Sequence, residues 1–256
     1  MSHQRLDDDG FFIGWGDPPD ADRRFFLRAG VGLLAGTALL GGGLAALQRP
    51  PGPGTWDPDA VREWRGSVSA APYAMLRTHD LGPGAPRTAL LSCLGKCGVA
   101  AQIGPLAGEP VVVTGSLIQR GRHAMIAVDE VGPWIRRDAG AIRDPSLALP
   151  VPERLGDIEL LGEILDSKCW FGAMRPSQGK PHKACASLCI RGGIPPAFFA
   201  RDADGRGALM LMRDGDQAYG PALLSLAADP VRLRGRAYRQ GDLLVVDAPL
   251  SGIQRL

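Results

Sequence analysis

The chain has 256 residues, enough for an anchoring segment and two domains of about 100 residues each. With 45% hydrophobic and 22% charged residues it can bury a core, and a formal net charge of +2 excludes a whole-chain electrostatic case for nucleic-acid binding. Its 35 glycines and 22 prolines, beside only 6% aromatic residues, favour short strands and many turns over long helices.

In chain order, residues 1–28 read as a cytoplasmic leader. It carries Asp7, Asp8, Asp9, Asp17, Asp20 and Asp22, and an aromatic patch, Phe11-Phe12-Ile13-Gly14-Trp15-Gly16, suited to a membrane interface or a partner. Residues 29–48 read as a transmembrane helix. Positions 29–47 are uncharged and would contact the bilayer over about 28 Å as a helix, although Gly30, Gly32, Gly36, Gly41, Gly42 and Gly43 dilute the run. The string before it, Asp22-Arg23-Arg24-Phe25-Phe26-Leu27-Arg28, resembles a twin-arginine export signal. That resemblance implies export of a folded protein, often one loaded with a cofactor before transport. An ordinary signal anchor obeying the positive-inside rule is the alternative. No A-x-A site precedes Gln48-Arg49-Pro50-Pro51, so the anchor is expected to stay uncleaved. The expected location is the bacterial inner membrane, single-pass, with the N-terminus cytoplasmic and the C-terminal part periplasmic.

Residues 49–56 form a stiff Pro/Gly linker. A first domain follows at 57–140, with strands expected at 87–94, 110–119 and 122–130. The break around Asp144-Pro145 and Pro150-Val151-Pro152 leads to a second domain at 153–256, with strands at 157–167, 208–212, 231–239 and 242–247. Pro110-Val111-Val112-Val113-Thr114-Gly115, with Gly121 after it, matches Pro230-Val231-Arg232-Leu233-Arg234-Gly235, with Gly241 after it, at an offset of 120 residues. A glycine midway along a strand marks the bend or bulge that a small barrel needs where its strand turns a corner. The fold class is therefore mainly β: two small OB-like β-barrels behind one N-terminal helix, the second barrel enlarged by a Cys/His-rich insertion at 168–200.

That insertion gathers the soft ligands. Cys169, His182, Cys185 and Cys189 follow the spacing Cys-x12-His-x2-Cys-x3-Cys, and Met174 adds a thioether. If the stretch from His182 to Cys189 is helical, Cys185 and Cys189 share a face one turn apart, His182 sits three residues ahead of Cys185, and Cys169 closes the set from a strand end. Such a set suits copper, zinc or an iron centre, while an extracytoplasmic compartment makes a disulfide the default for cysteines. Covalent c-type haem lacks its Cys-x-x-Cys-His, and the Rieske and four-cysteine iron–sulfur patterns are missing from the sequence. From Lys168 to Arg191 there are five basic residues and no acid, which favours thiolates and would attract an acidic partner, an anionic lipid surface or a haem propionate. Cys93 and Cys97 form a second Cys-x3-Cys beside Gly95 and Gly98, read as a local disulfide or a second metal pair. His79 is expected at the surface and His123 in a barrel.

The segment Gly162-Glu163-Ile164-Leu165-Asp166-Ser167-Lys168-Cys169, then His182-Lys183-Ala184-Cys185-Ala186-Ser187-Leu188-Cys189-Ile190, then Gly192-Gly193-Ile194-Pro195, resembles a group of small secreted or anchored bacterial domains. Their pattern is a G-E-[IV]-x-D-x-x-C strand, an H-x-x-C-A-x-x-C-I stretch, a G-x-P turn and a closing V-x-G hairpin. The resemblance covers roughly residues 157–256 and implies a fold and a compartment, not a reaction.

No phosphate loop and no Ser/His/Asp signature argues for a hydrolase or kinase, so a non-catalytic role is expected. The leading expectation is an anchored accessory subunit of a membrane redox or respiratory electron-transport complex, its cluster holding a metal, a haem or a disulfide. The rivals are a periplasmic copper carrier that uses both Cys-x3-Cys pairs, and a structural binding module with oxidised cysteines. Single-stranded nucleic acid is not an expected partner, given the compartment and the shortage of strand aromatics.

Overall fold

The structure, a computed structural model, describes residues 20–47, 54–201 and 207–256. The aromatic patch at 11–16 and most of the Pro/Gly linker lie outside the described residues. Helix α1 (Asp20–Leu47) covers the expected anchor, with Asp20 and Asp22 in its first turn, where acidic side chains meet the positive end of the helix dipole. Among the described residues no helix is both long enough and apolar enough to cross a membrane. The run of glycines explains this in α1, because they supply helix length without adding apolar surface.

Residues 54–201 and 207–256 build two five-stranded barrels. The first uses β1 (Thr55–Ser69), β2 (Met75–Thr78), β3 (Arg87–Cys93), β4 (Pro110–Arg120) and β5 (His123–Val128), with the short helix α2 (Ala100–Ile103) between β3 and β4. The strands run β1-β2-β3-β5-β4, and β4 pairs back onto β1; β3 and β5 are parallel and the other pairs antiparallel. A short β6 (Ile135–Arg137) extends β4. The second barrel repeats the order with β7 (Glu153–Asp166), β8 (Pro196–Arg201), β9 (Gly207–Arg213), β10 (Pro230–Gln240) and β11 (Leu243–Asp247), and β12 (Ile253–Arg255) extends β10.

The 120-residue offset is structural. A Cβ added to Gly115 would fall 2.5 Å from the Ala127 carbonyl oxygen, and one added to Gly235 would fall 2.7 Å from that of Asp247. Both glycines let β4 and β10 pass close against the strand that follows them. Gly121 and Gly241 close the two hairpins with φ of +56° and +60°, a region open to glycine.

Two boundaries differ from the sequence expectation. Strand β1 begins at Thr55, inside the presumed linker, and β8 lies within the presumed insertion, which therefore ends at Pro195. β8 pairs with β7 from Asp166↔Pro196 to Gly162↔Ala200. It is buried on both sides, Phe198 in the barrel interior and Phe199 on the outside, so it lacks the polar alternation of an exposed strand.

The two barrels are not independent domains. Trp64, Leu76, Leu91, Val111 and Ile126 fill the first, and Ile164, Phe198, Met212, Leu233 and Val246 fill the second. A third apolar layer lies between them. The alternate residues Met75, Leu90, Ile118 and Met125 of the first barrel meet Leu165, Phe199, Leu211 and Val245 of the second. Polar contacts ring this layer: the Tyr73 hydroxyl donates to the Met212 carbonyl at 2.9 Å, and the Thr88 amide donates to both carboxylate oxygens of Asp242 at 3.1 Å.

Candidate metal centre

β7 delivers the chain to the site at Asp166, which is fully buried. One Asp166 oxygen accepts the Cys169 amide at 2.8 Å, and the other lies 2.7 Å from Nε2 of the equally buried His182. Burial by itself would raise the Asp166 pKa, but the bonds from His182 and the Cys169 amide outweigh it and hold the carboxyl below its ordinary value. The Asp166 carboxylate thus fixes both edges of the insertion, the π-type turn Cys169–Ala173 and the entry to helix α3 (Lys183–Arg191).

α3 sets Cys185 and Cys189 one turn apart on one face, and Cys169 approaches from the π-type turn. The three sulfurs lie within 4.8 Å of one another, with Cys169 and Cys185 at 3.7 Å. Cys169 and Cys189 are buried and Cys185 is half-buried. An ion bonded to two sulfurs at about 2.3 Å separates them by about 3.8 Å at a tetrahedral angle and about 4.0 Å at a trigonal one, so the pair lies near the spacing of an ion's ligands. His182 belongs to an adjoining group with Asp166 and Cys169, its Nε2 on the carboxylate. Met174, just past the turn, is 41% exposed.

The first barrel reaches into this site. Cys93 and Cys97 are joined by a disulfide, S–S 1.96 Å, which closes a loop between β3 and α2. The carbonyls of Cys93, Leu94 and Gly95 all accept from the Lys168 ammonium, at 2.6, 2.8 and 2.7 Å. From the same loop Lys96 donates to Cys185 Sγ at 2.9 Å, with Cys189 Sγ at 4.0 Å. The loop can lie this close because a Gly-Gly turn ends α3: a Cβ on Gly192 would fall 1.7 Å from the Lys96 carbonyl oxygen. The Gly98 amide then donates to the Gly192 carbonyl at 2.8 Å.

Charge is distributed accordingly. The bond to Cys185, with Cys189 and Cys169 nearby, raises the Lys96 pKa, whereas burial lowers that of Lys168 to about 8. The proximity of Cys169 and Cys189, with Lys96 beside them, holds the Cys189 thiol below its ordinary value and pushes that of Cys169 up. Three of the five basic residues of the insertion are engaged within the fold. Lys168 is bound to three carbonyls, Lys183 pairs with Asp229 at 2.6 Å, and Arg175 donates to the Gly54 carbonyl.

Asp166, Lys168 and Lys96 went unassigned on sequence alone. The first two stand inside the Gly162–Cys169 segment, and Lys96 lies between two cysteines, so each had a signal only by its neighbours. His123 packs in the layer between the barrels against Trp170 and Phe171, and His79 is at the surface beside Asp144. Comparison with protein-family models, with curated proteins and with solved structures finds no match to the chain.

Proposed function

We propose that the chain is a non-catalytic, membrane-anchored subunit of an extracytoplasmic redox complex, two OB-type barrels that carry a resident soft-metal centre on Cys169, Cys185 and Cys189. The observation that carries the reading is the convergence of those three sulfurs within 4.8 Å at the seam of the two barrels. The Cys93–Cys97 disulfide supports an oxidising compartment, and the Arg23-Arg24 leader supports export after the centre has been loaded. With that pair spent, three thiols remain, an odd number that cannot all be oxidised within one chain. Haem finds little support, because the His182 ring is buried and Met174 is exposed.

A free-standing copper carrier is the second reading. The half-buried Cys185 favours it, because a carrier needs one sulfur within reach of an acceptor. Native electrophoresis of detergent-solubilised membranes separates the two. A subunit migrates in a large band that carries haem or flavin absorbance. Migration as a 27.1 kDa species alone overturns the complex.

A further inference from the structure

We propose that the trio binds a single monovalent copper ion as a three-coordinate thiolate centre and discriminates against zinc. This rests on the metal-centre reading above and adds the identity and geometry of the ion.

The donor set is the first argument. Three sulfurs lie within 4.8 Å of one another, while the His182 ring groups with Cys169 and Asp166 and not with all three sulfurs. Structural zinc takes four protein ligands, and a soft three-thiolate set suits copper(I). The cap is the second. Lys96 Nζ stands 2.9 Å from Cys185 and 4.0 Å from Cys189, so the neighbouring charged group on the loop side is an ammonium, which donates hydrogen bonds and cannot ligate. A fourth ligand entering there must displace it.

Charge is the third argument, and it bears on thiolate ligation. Lys96, at the sulfurs, and Lys168, next to Cys169 in the chain and bound to three carbonyls, offset negative charge from the thiolates and from the buried Asp166 carboxylate. On binding, copper(I) forms three Cu–S bonds and the thiol protons still present leave to solvent, with no change of oxidation state.

The test uses the full chain, reduced at its free thiols and kept in detergent, titrated anaerobically with copper(I) or zinc(II) against competing chelators. X-ray absorption reads the coordination shell. The expected result is one copper(I) per chain in an all-sulfur, three-coordinate shell, with zinc removed by a chelator that leaves copper in place. Cys185→Ser lowers copper affinity by about 100-fold, Lys96→Met by about 10-fold with the shell unchanged, and His182→Asn leaves the shell at three sulfurs. Tight zinc in a four-coordinate shell that loses a nitrogen in His182→Asn overturns the copper assignment and leaves the metal centre standing. Failure to retain either metal while three thiols titrate free overturns both.

Discussion

The Lys168 ammonium lies 2.6 Å from the carbonyl oxygen of Cys93, and through that bond the insertion of the second barrel grips the disulfide loop of the first. Leu94 and Gly95 complete a three-carbonyl cradle that matches the three donors of a lysine. The same ammonium stands 5.2 Å from the Trp56 ring centroid, which ties β1 to the grip.

Replacing Lys168 by Met leaves three carbonyls facing an apolar side chain. The expected loss is about 2–4 kcal/mol, measured by urea unfolding of the chain. Lys168→Arg should not restore it, because a planar guanidinium cannot place its donors on three converging oxygens. Full stability in either variant would show the cradle to be incidental.

Gly192→Ala places a methyl where the Lys96 carbonyl stands, and backbone cannot yield cheaply there. A stability loss of about 2–4 kcal/mol is expected. Gly140→Ala, where nothing lies within 4 Å of the new atom, is the matched control. Equal melting temperatures for the two variants would refute the close approach.

Burial pushes the His123 pKa down, with Arg120 and Arg87 acting in the same sense against the opposing pull of Asp242. The neutral ring stacks on Phe171 at 5.5 Å between centroids. Its contribution to stability is present in full above the unfolded value of about 6.5 and is lost as pH falls below that toward the folded value. Urea midpoints at pH 7.5 and 5 should fall further in the wild type than in His123→Phe. Parallel pH profiles would assign the acid sensitivity to other groups.

Without reductant, the metal-free chain should titrate three free thiols of its five cysteines, at Cys169, Cys185 and Cys189. Cys93→Ser with Cys97→Ser removes a small closed loop, so the entropic loss is limited to about 2 kcal/mol. The larger effect should be on the Lys96 contact with Cys185, read as lower copper(I) affinity. A count of one free thiol would mean that two of the trio are joined.

Much of the barrel pattern was legible because corner glycines and hairpin turns repeat 120 residues apart, as Gly115 with Gly235 and Gly121 with Gly241 do. β1 was not, because its first half, from Thr55 to Glu63, is largely exposed and carries Asp57, Pro58 and Asp59, a run that reads as a linker. The trio was legible from the helical spacing of Cys185 and Cys189. What escaped was long-range: Asp166 meets His182 across 16 positions, and Lys96 meets Cys185 across 89, from the other barrel. No local period encodes contacts of that kind.

The middle apolar layer decides what happens if the backbone is cut. The connector from Asp138 to Pro152 is mostly exposed and gives a protease its opening, yet a single nick there frees neither half. Each fragment keeps a face bearing Met75 and Leu90, or Phe199 and Leu211, that water will not cover. The nicked molecule therefore persists as a non-covalent pair, and neither piece made alone stays in solution without the other.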